Sequence, residues 1–167
     1  MGYDGFDILS IARKMKEQDY LARGKLIWRI RSSFFLIPAW FAPHSKLRVF
    51  FHRLRGIKIG KNVEIGYFCI IGHVHPYLIT IEDGAVITVG SVILEHDNSY
   101  FYSRGKQVKH GPVIIKERAF IGAHSIIMPD VTVGDGAIVG ANSVVIKNVS
   151  SGSVVAGIPA KVIEKND

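Results

Sequence analysis

A single cysteine, Cys69, stands in a chain of 167 residues. No internal disulfide is available, which excludes a stapled secreted scaffold. Six prolines accompany seventeen glycines, and no Gly-X-Y period links them, so a collagen-like rod is excluded. No apolar run reaches the roughly 20 residues that a bilayer-spanning helix needs. Asp4 and Asp7 interrupt the apolar residues at the start, so no signal peptide is expected there, and the expected compartment is reducing and cytoplasmic. Acidic residues are scarce in one region only. Residues 1–56 carry 11 Lys and Arg against 4 Asp and Glu, and the remaining ten basic residues are balanced by ten acidic ones. A net charge of +7 confined to one third of the chain does not fit a uniformly basic nucleic-acid binder, and no nucleic-acid partner is expected. A local anionic surface such as a membrane face fits better. Hydrophobic residues are plentiful at 48%, enough for a sizeable core and too many for a disordered chain.

The apolar residues are ordered by a period of six. Ile115, Ile121, Ile127, Val133, Val139 and Val145 recur at that spacing, and four positions after each stands Ala119, Ser125, Val131, Ala137, Ser143 or Val149. A helix needs a spacing near 3.6 and an ordinary strand one of 2. Six fits a chain wound round a triangular prism, one short parallel strand per side and eighteen residues per coil. The aliphatic residue points inward and stacks on its equivalent one coil away, about 4.8 Å along. The inward residue near each corner must be small. Gly134, Asp135 and Asn142 are expected to supply the unusual backbone angles of the corners.

The same period runs less cleanly through Ile59, Ile65 and Ile71, breaks at His73–Ile79, and resumes in shifted register at Ile81, Ile87 and Ile93. Residues 95–112 abandon it and read as a loop projecting from a prism of about four coils. Residues 1–56 lack the period. Helical spacing over Ile8–Met15 and Leu21–Ile30, with Asp7 as N-cap, marks an N-terminal helical segment. The division is therefore 1–56, helical, basic and apolar, and 57–167, the repeat domain with its loop 95–112. In the first part, the apolar stretch Phe34–Pro43 lies among Arg23, Lys25, Arg29, Arg31, Arg48, Arg53 and Arg55. Two readings stay open for residues 23–55: peripheral contact with an anionic membrane face, or packing on the prism or across an oligomer.

The stretch IKERAFIGAHSIIMPDVTVGDGAIVGANSVVIKNV, followed by VVAGIPAKVI, resembles the hexapeptide-repeat acyltransferases, whose fold is a left-handed parallel β-helix. Within them it resembles the galactoside, maltose and polysaccharide O-acetyltransferase subgroup, over about residues 57–164. The resemblance implies an all-β hexapeptide-repeat solenoid behind the helical segment, assembled as a homotrimer with acetyl-coenzyme A between neighbouring prisms. It implies acetyl transfer to a sugar hydroxyl in polysaccharide or surface-glycan synthesis, the acceptor sugar carried on a lipid if the basic segment lies on a membrane. No metal is required.

The catalytic histidine of that family matches His96, which stands where the second block of repeats gives way to the loop. A sugar hydroxyl is too weak an acid to attack a thioester unaided, and an imidazole with an ordinary pKa of about 6.5 takes its proton. Asp97 is the expected orienting carboxylate, with Glu95 as the alternative. His110 at the far end of the loop and His75 in the broken repeat are candidates for acceptor binding. Phe68 and Pro76 fall where galactoside-type relatives carry Asn and Asp, which argues against a simple galactoside. The resemblance places backbone amides of Ala123 and Ala141 on the pantetheine arm, with Lys147 and Lys161 near the phosphates of the coenzyme. Phe120 replaces a Trp common in the subgroup. Cys69 occupies a small inward slot and reads as core. Three other activities compete: N-acetyl transfer to an amino sugar or a serine-type acceptor, a zinc hydratase of the carbonic-anhydrase kind, and a non-enzymatic scaffold.

Overall fold

The computed structural model describes residues 25–72 and 74–164. The helical spacing over Ile8–Met15 with its cap Asp7, the residues Leu21, Arg23 and His73, and the side chains of Lys25 and Arg29 lie outside the described residues.

The repeat closes three parallel sheets. One stacks β1 (Lys58–Ile59), β4 (Ile79–Ile81), β9 (Val113–Ile115) and β12 (Thr132–Val133). The second stacks β2 (Glu64–Ile65), β5 (Val86–Ile87), β10 (Phe120–Ile121), β13 (Ile138–Val139) and β15 (Val154–Gly157). The third stacks β3 (Ile70–Ile71), β6 (Val92–Ile93), β11 (Ile126–Ile127) and β14 (Val144–Val145). Successive strands in the chain visit the three sheets in turn. Equivalent aliphatic residues pair directly: Ile65 with Ile87, Ile87 with Ile121, Ile121 with Val139. These aliphatics and the small corner residues Ala119, Ser125, Ala137 and Ser143 are all buried. The interior is dry and narrow, and each stacked aliphatic contributes roughly 1.5–3 kcal/mol. A final antiparallel strand, β16 (Ala160–Glu164), folds back on β15.

The corners differ from expectation in which residues bend. Left-handed φ angles recur every six residues at Arg118, His124, Asp130, Gly136 and Asn142. Asn142 fits the reading, whereas Gly134 and Asp135 are not in that conformation. Gly134 is small for another reason: a Cβ there would meet the Ser151 amide nitrogen at 2.5 Å.

Coil length locates the insertions. Ile127 pairs with Val145, eighteen residues on. Ile71 pairs with Ile93, twenty-two on, and Ile93 with Ile127, thirty-four on. Four extra residues therefore follow β3 and sixteen follow β6, both leaving the prism at the same edge. The second insertion is more regular than a plain loop. Its β7 (His96–Asp97) pairs antiparallel with β8 (Lys109–His110) around α4 (Ser99–Arg104).

Helices α1 (Lys25–Phe34), α2 (Leu36–Phe41) and α3 (Ser45–Leu54) precede the prism. In the coils, backbone N–H groups donate to carbonyls of the following coil, as Gly60 does to Ile81 and Gly66 to Ile87. The carbonyls of the first coil consequently have no preceding coil to serve them. Arginines on and just after α3 do so, one per face. Arg53 donates to Ile59 and Gly60, Arg48 to Ile65, and Arg55 to Ile71 and Gly72. Of the two readings left open for this segment, Arg48 and Arg55 fit packing on the prism, for they are 6% and 1% exposed.

Two glycine substitutions separate strain from crowding. Gly136 has φ +61° and open space around its Cα, so Gly136→Ala is expected to cost about 1–2 kcal/mol from backbone conformation alone. At Gly122 a Cβ would meet the Ala141 amide nitrogen at 2.5 Å and the Val139 carbonyl at 2.6 Å. Gly122→Ala should therefore destabilise the coil more than Gly136→Ala in denaturant melts, and equal midpoints would contradict the close-approach argument.

Candidate functional site

The two insertions share one prism edge and meet there. His96 opens the longer one, paired across the small ladder with His110, and their rings lie 6.0 Å apart. His75, from the shorter insertion, places its ring 5.0 Å from His110, and its Nδ1 lies 3.0 Å from the Tyr77 hydroxyl. The structure thus gathers His75, His96 and His110 from separate stretches of sequence. Among the described residues, no group of three or more His, Cys, Asp or Glu side chains is arranged to hold a metal ion.

The carboxylate beside the His96 ring is Glu95 and not Asp97. Glu95 Oε1 lies 3.2 Å from His96 Nδ1 and accepts the amides of Val74 and His75 at 2.8 and 2.7 Å. Burial would push the Glu95 carboxyl upward, but the amides of His75 and Val74 and the nearby His96 outweigh it and hold it below the usual range. An ionised carboxylate only accepts, so His96 Nδ1 carries the proton and Nε2 of the neutral ring is left basic. Asp97 is engaged instead at the start of α4. Its Oδ1 accepts the Ser99 amide at 2.8 Å, and that bond holds its carboxyl below the usual range. Asp97, the expected partner, is thus not the carboxylate beside the ring; its alternative Glu95 is, because the turn brings two amides onto it.

The remaining candidates lie elsewhere on the prism. Ala123 and Ala141 sit at the corner entering the third sheet, one coil apart, just ahead of β11 and β14. His96 leaves the opposite edge of that sheet. Six residues at 3.3 Å put the two edges on the order of 15–20 Å apart. Lys147 is exposed on the His96 edge, two coils on, and Lys161 is exposed on β16. Phe68 is exposed, with φ +56°, and packs edge-on against Phe41 at 5.3 Å, while Pro76 is buried. Cys69 is 1% exposed, burial pushes its thiol up to about 11, and its Sγ lies 3.1 Å from the Thr88 carbonyl. It is core.

Sequence reading attached no signal to His52, yet it supports this edge from beneath. It is 0% exposed, and its Nδ1 lies 3.0 Å from Arg55 Nη1. Burial, with Arg55 and Arg48 nearby, lowers its pKa to about 3. The depressed value means that the unfolded chain binds the proton first. Stability from this group is complete above pH 6.5 and falls as pH drops toward 3, by about 1.4 kcal/mol per unit. Melting between pH 6.5 and 5 should show this slope, and His52→Gln should flatten it. An unchanged slope in the variant would remove His52 as its source.

Comparison with known proteins adds the following. Residues 112–147 match the model of the bacterial transferase hexapeptide, six repeats. The chain is 31% identical over 162 residues to the putative colanic acid biosynthesis acetyltransferase WcaF of Escherichia coli, covering 84% of this chain and 86% of the relative. It is 33% identical over 132 residues to the galactoside O-acetyltransferase of Escherichia coli, covering 77% of this chain but only 62% of that relative's length. The solved structure of a galactoside acetyltransferase in complex with coenzyme A superposes with a TM-score of 0.65 at 21% identity, over 88% of this chain and 84% of that one.

Proposed function

The chain belongs to the hexapeptide-repeat transferase family, and from that premise we propose that it transfers an acetyl group from acetyl-coenzyme A to a hydroxyl of a sugar in a polysaccharide or surface glycan. One observation carries the reading: the His96 ring, held by Glu95 through Nδ1, at the edge where both insertions converge. In the proposed step His96 Nε2 takes the hydroxyl proton as that oxygen attacks the thioester carbonyl. The tetrahedral intermediate collapses with loss of the thiolate, which receives the proton from the imidazolium, leaving an O-acetyl ester and free thiol. His75 and His110 face the same space and serve the acceptor.

The donor places a demand on assembly. Ala123 and Ala141, proposed to offer backbone amides to the pantetheine arm, stand across a face from His96 in the same chain. A homotrimer of left-handed prisms would bring one subunit's alanine edge against the next subunit's histidine edge. Lys147 and Lys161, both exposed, are proposed partners for the coenzyme phosphates. The division at residue 56 belongs to the same proposal, with residues 57–167 carrying the chemistry. His96→Ala should lower kcat by roughly 10²–10⁴-fold with acetyl-coenzyme A affinity, read by calorimetry, nearly intact. Equal turnover in the variant would overturn the assignment.

Peripheral contact with an anionic lipid surface completes the proposal and accounts for a lipid-linked acceptor. No helix among the described residues is long and apolar enough to cross a membrane. Ile30, Phe34, Ile37 and Phe41 follow one helical face across α1 and α2 and are 59–71% exposed, with Arg31 and Lys46 exposed beside them. Such a stripe suits the boundary between headgroups and acyl chains. Replacing both Phe34 and Phe41 with Glu should cut sedimentation with phosphatidylglycerol vesicles by about tenfold or more, given the roughly 1.5–3 kcal/mol of each buried ring. Unchanged pelleting would sink the lipid contact and leave the acyl-transfer reading standing.

A further inference from the structure

Two buried side chains of opposite charge grip the turn that carries the chain out of the first coil. Arg55, just past the end of α3, donates from Nη1 to the Ile71 carbonyl at 2.9 Å and from Nη2 to the Gly72 carbonyl at 2.6 Å. Its Nε reaches the Ser32 carbonyl at 3.2 Å. Glu95, 0% exposed, takes the amides of Val74 and His75 on the same Oε1 that faces His96 Nδ1. One charge therefore holds the carbonyls of the turn and the other its amides. Gly72, at the start of the turn, has φ +51°, and a Cβ there would meet Pro76 Cα at 2.7 Å. The Glu95 Oε2 atom is buried without a hydrogen-bond partner among the described residues, so the carboxylate is anchored wholly through the oxygen that holds both turn and base.

We propose that Arg55 and Glu95 form a paired positioning device: Arg55, which touches no reacting atom, fixes Ile71 and Gly72, and through them and the Val74 and His75 amides held by Glu95 it sets the His75 side chain and the tautomer and aim of His96. The proposal rests on His96 as the base. Its consequence is that helix α3, on the far side of the turn from the acceptor, is coupled to turnover.

The test uses the full chain with Arg55→Lys and Glu95→Gln. Lysine keeps the charge but replaces a fork serving two carbonyls with one ammonium. Glutamine keeps the shape and removes the acceptor-only oxygen pair. Both are expected to lower kcat by about 10- to 100-fold, the loss typical of a misplaced catalytic group, with KM for acetyl-coenzyme A unchanged. In both, the imidazole 15N shifts of His96 should move from a single Nδ1–H tautomer to a mixture. An Arg55→Lys protein with wild-type kcat and an unmoved His96 signal would overturn the proposal. If that variant does not fold, Glu95→Gln decides alone, and full turnover with a single tautomer would overturn it equally. Should His96→Ala keep its activity, the base assignment falls, while the His96 tautomer in Arg55→Lys still answers whether the device positions the ring.

Discussion

An open-ended stack of coils leaves one row of backbone carbonyls with nothing before it. At the strand ends each coil donates forward, as Gly60 does to Ile81 and Gly66 to Ile87, so the strand-end carbonyls of later coils are served from behind and those of Ile59, Ile65 and Ile71 are not. Orphaned carbonyls at an exposed sheet edge invite pairing with another chain, and buried without partners they cost a few kcal/mol each. The three arginines of residues 48–55 meet that demand face by face. Their placement makes the helical segment the end cap of the solenoid rather than an appendage. It also turns the segment inside out, with guanidinium groups facing the prism and Ile30, Phe34, Ile37 and Phe41 facing outward. An ordinary amphipathic helix would do the reverse.

The narrow interior then decides where function resides. Inside the prism there is room for one aliphatic and one small residue per side, so a histidine or carboxylate site cannot be built there, and any addition must leave at a corner. Both additions leave at the same corner in successive coils, four residues after β3 and sixteen after β6. Stacking places them side by side, and their histidines meet although 21 positions separate His75 from His96. The regular coils supply the rigid edge, and the irregular residues supply the chemistry.

Much of this was legible in the chain itself. The six-residue period carried the prism, the inward aliphatics Ile115 to Val145, and the sites of both interruptions, because stacking leaves a direct mark on composition. The corner residues were only half legible. Asn142 announces a left-handed angle, but Arg118 and His124 adopt it because the coil geometry overrides their preference. The place of Arg48 and Arg55 stayed open between a lipid face and the prism, since nothing local says that a basic residue will be needed against carbonyls of a later segment. The choice of Glu95 over Asp97 was likewise hidden. It turns on a pair of amides twenty residues upstream.

Buried charges are rare because removing them from water is costly, so Arg55 and Glu95 require a reason in the fold. For Arg55 it is the first coil's Ile71 and Gly72 carbonyls, and for Glu95 the amides of Val74 and His75 in the turn that follows. There the chain presents two carbonyls, of Ile71 and Gly72, to the guanidinium and two amides, of Val74 and His75, to the carboxylate. Buried Pro76 and Ile79 pack against it at Gly72. A guanidinium fork matches two adjacent carbonyls, and a carboxylate oxygen accepts two adjacent amides. The two charges therefore stand in for the missing ladder, and the same carboxylate reaches the His96 ring. The departure from the repeat that gathers the histidines is thus also what brings the orienting group of the proposed base into place.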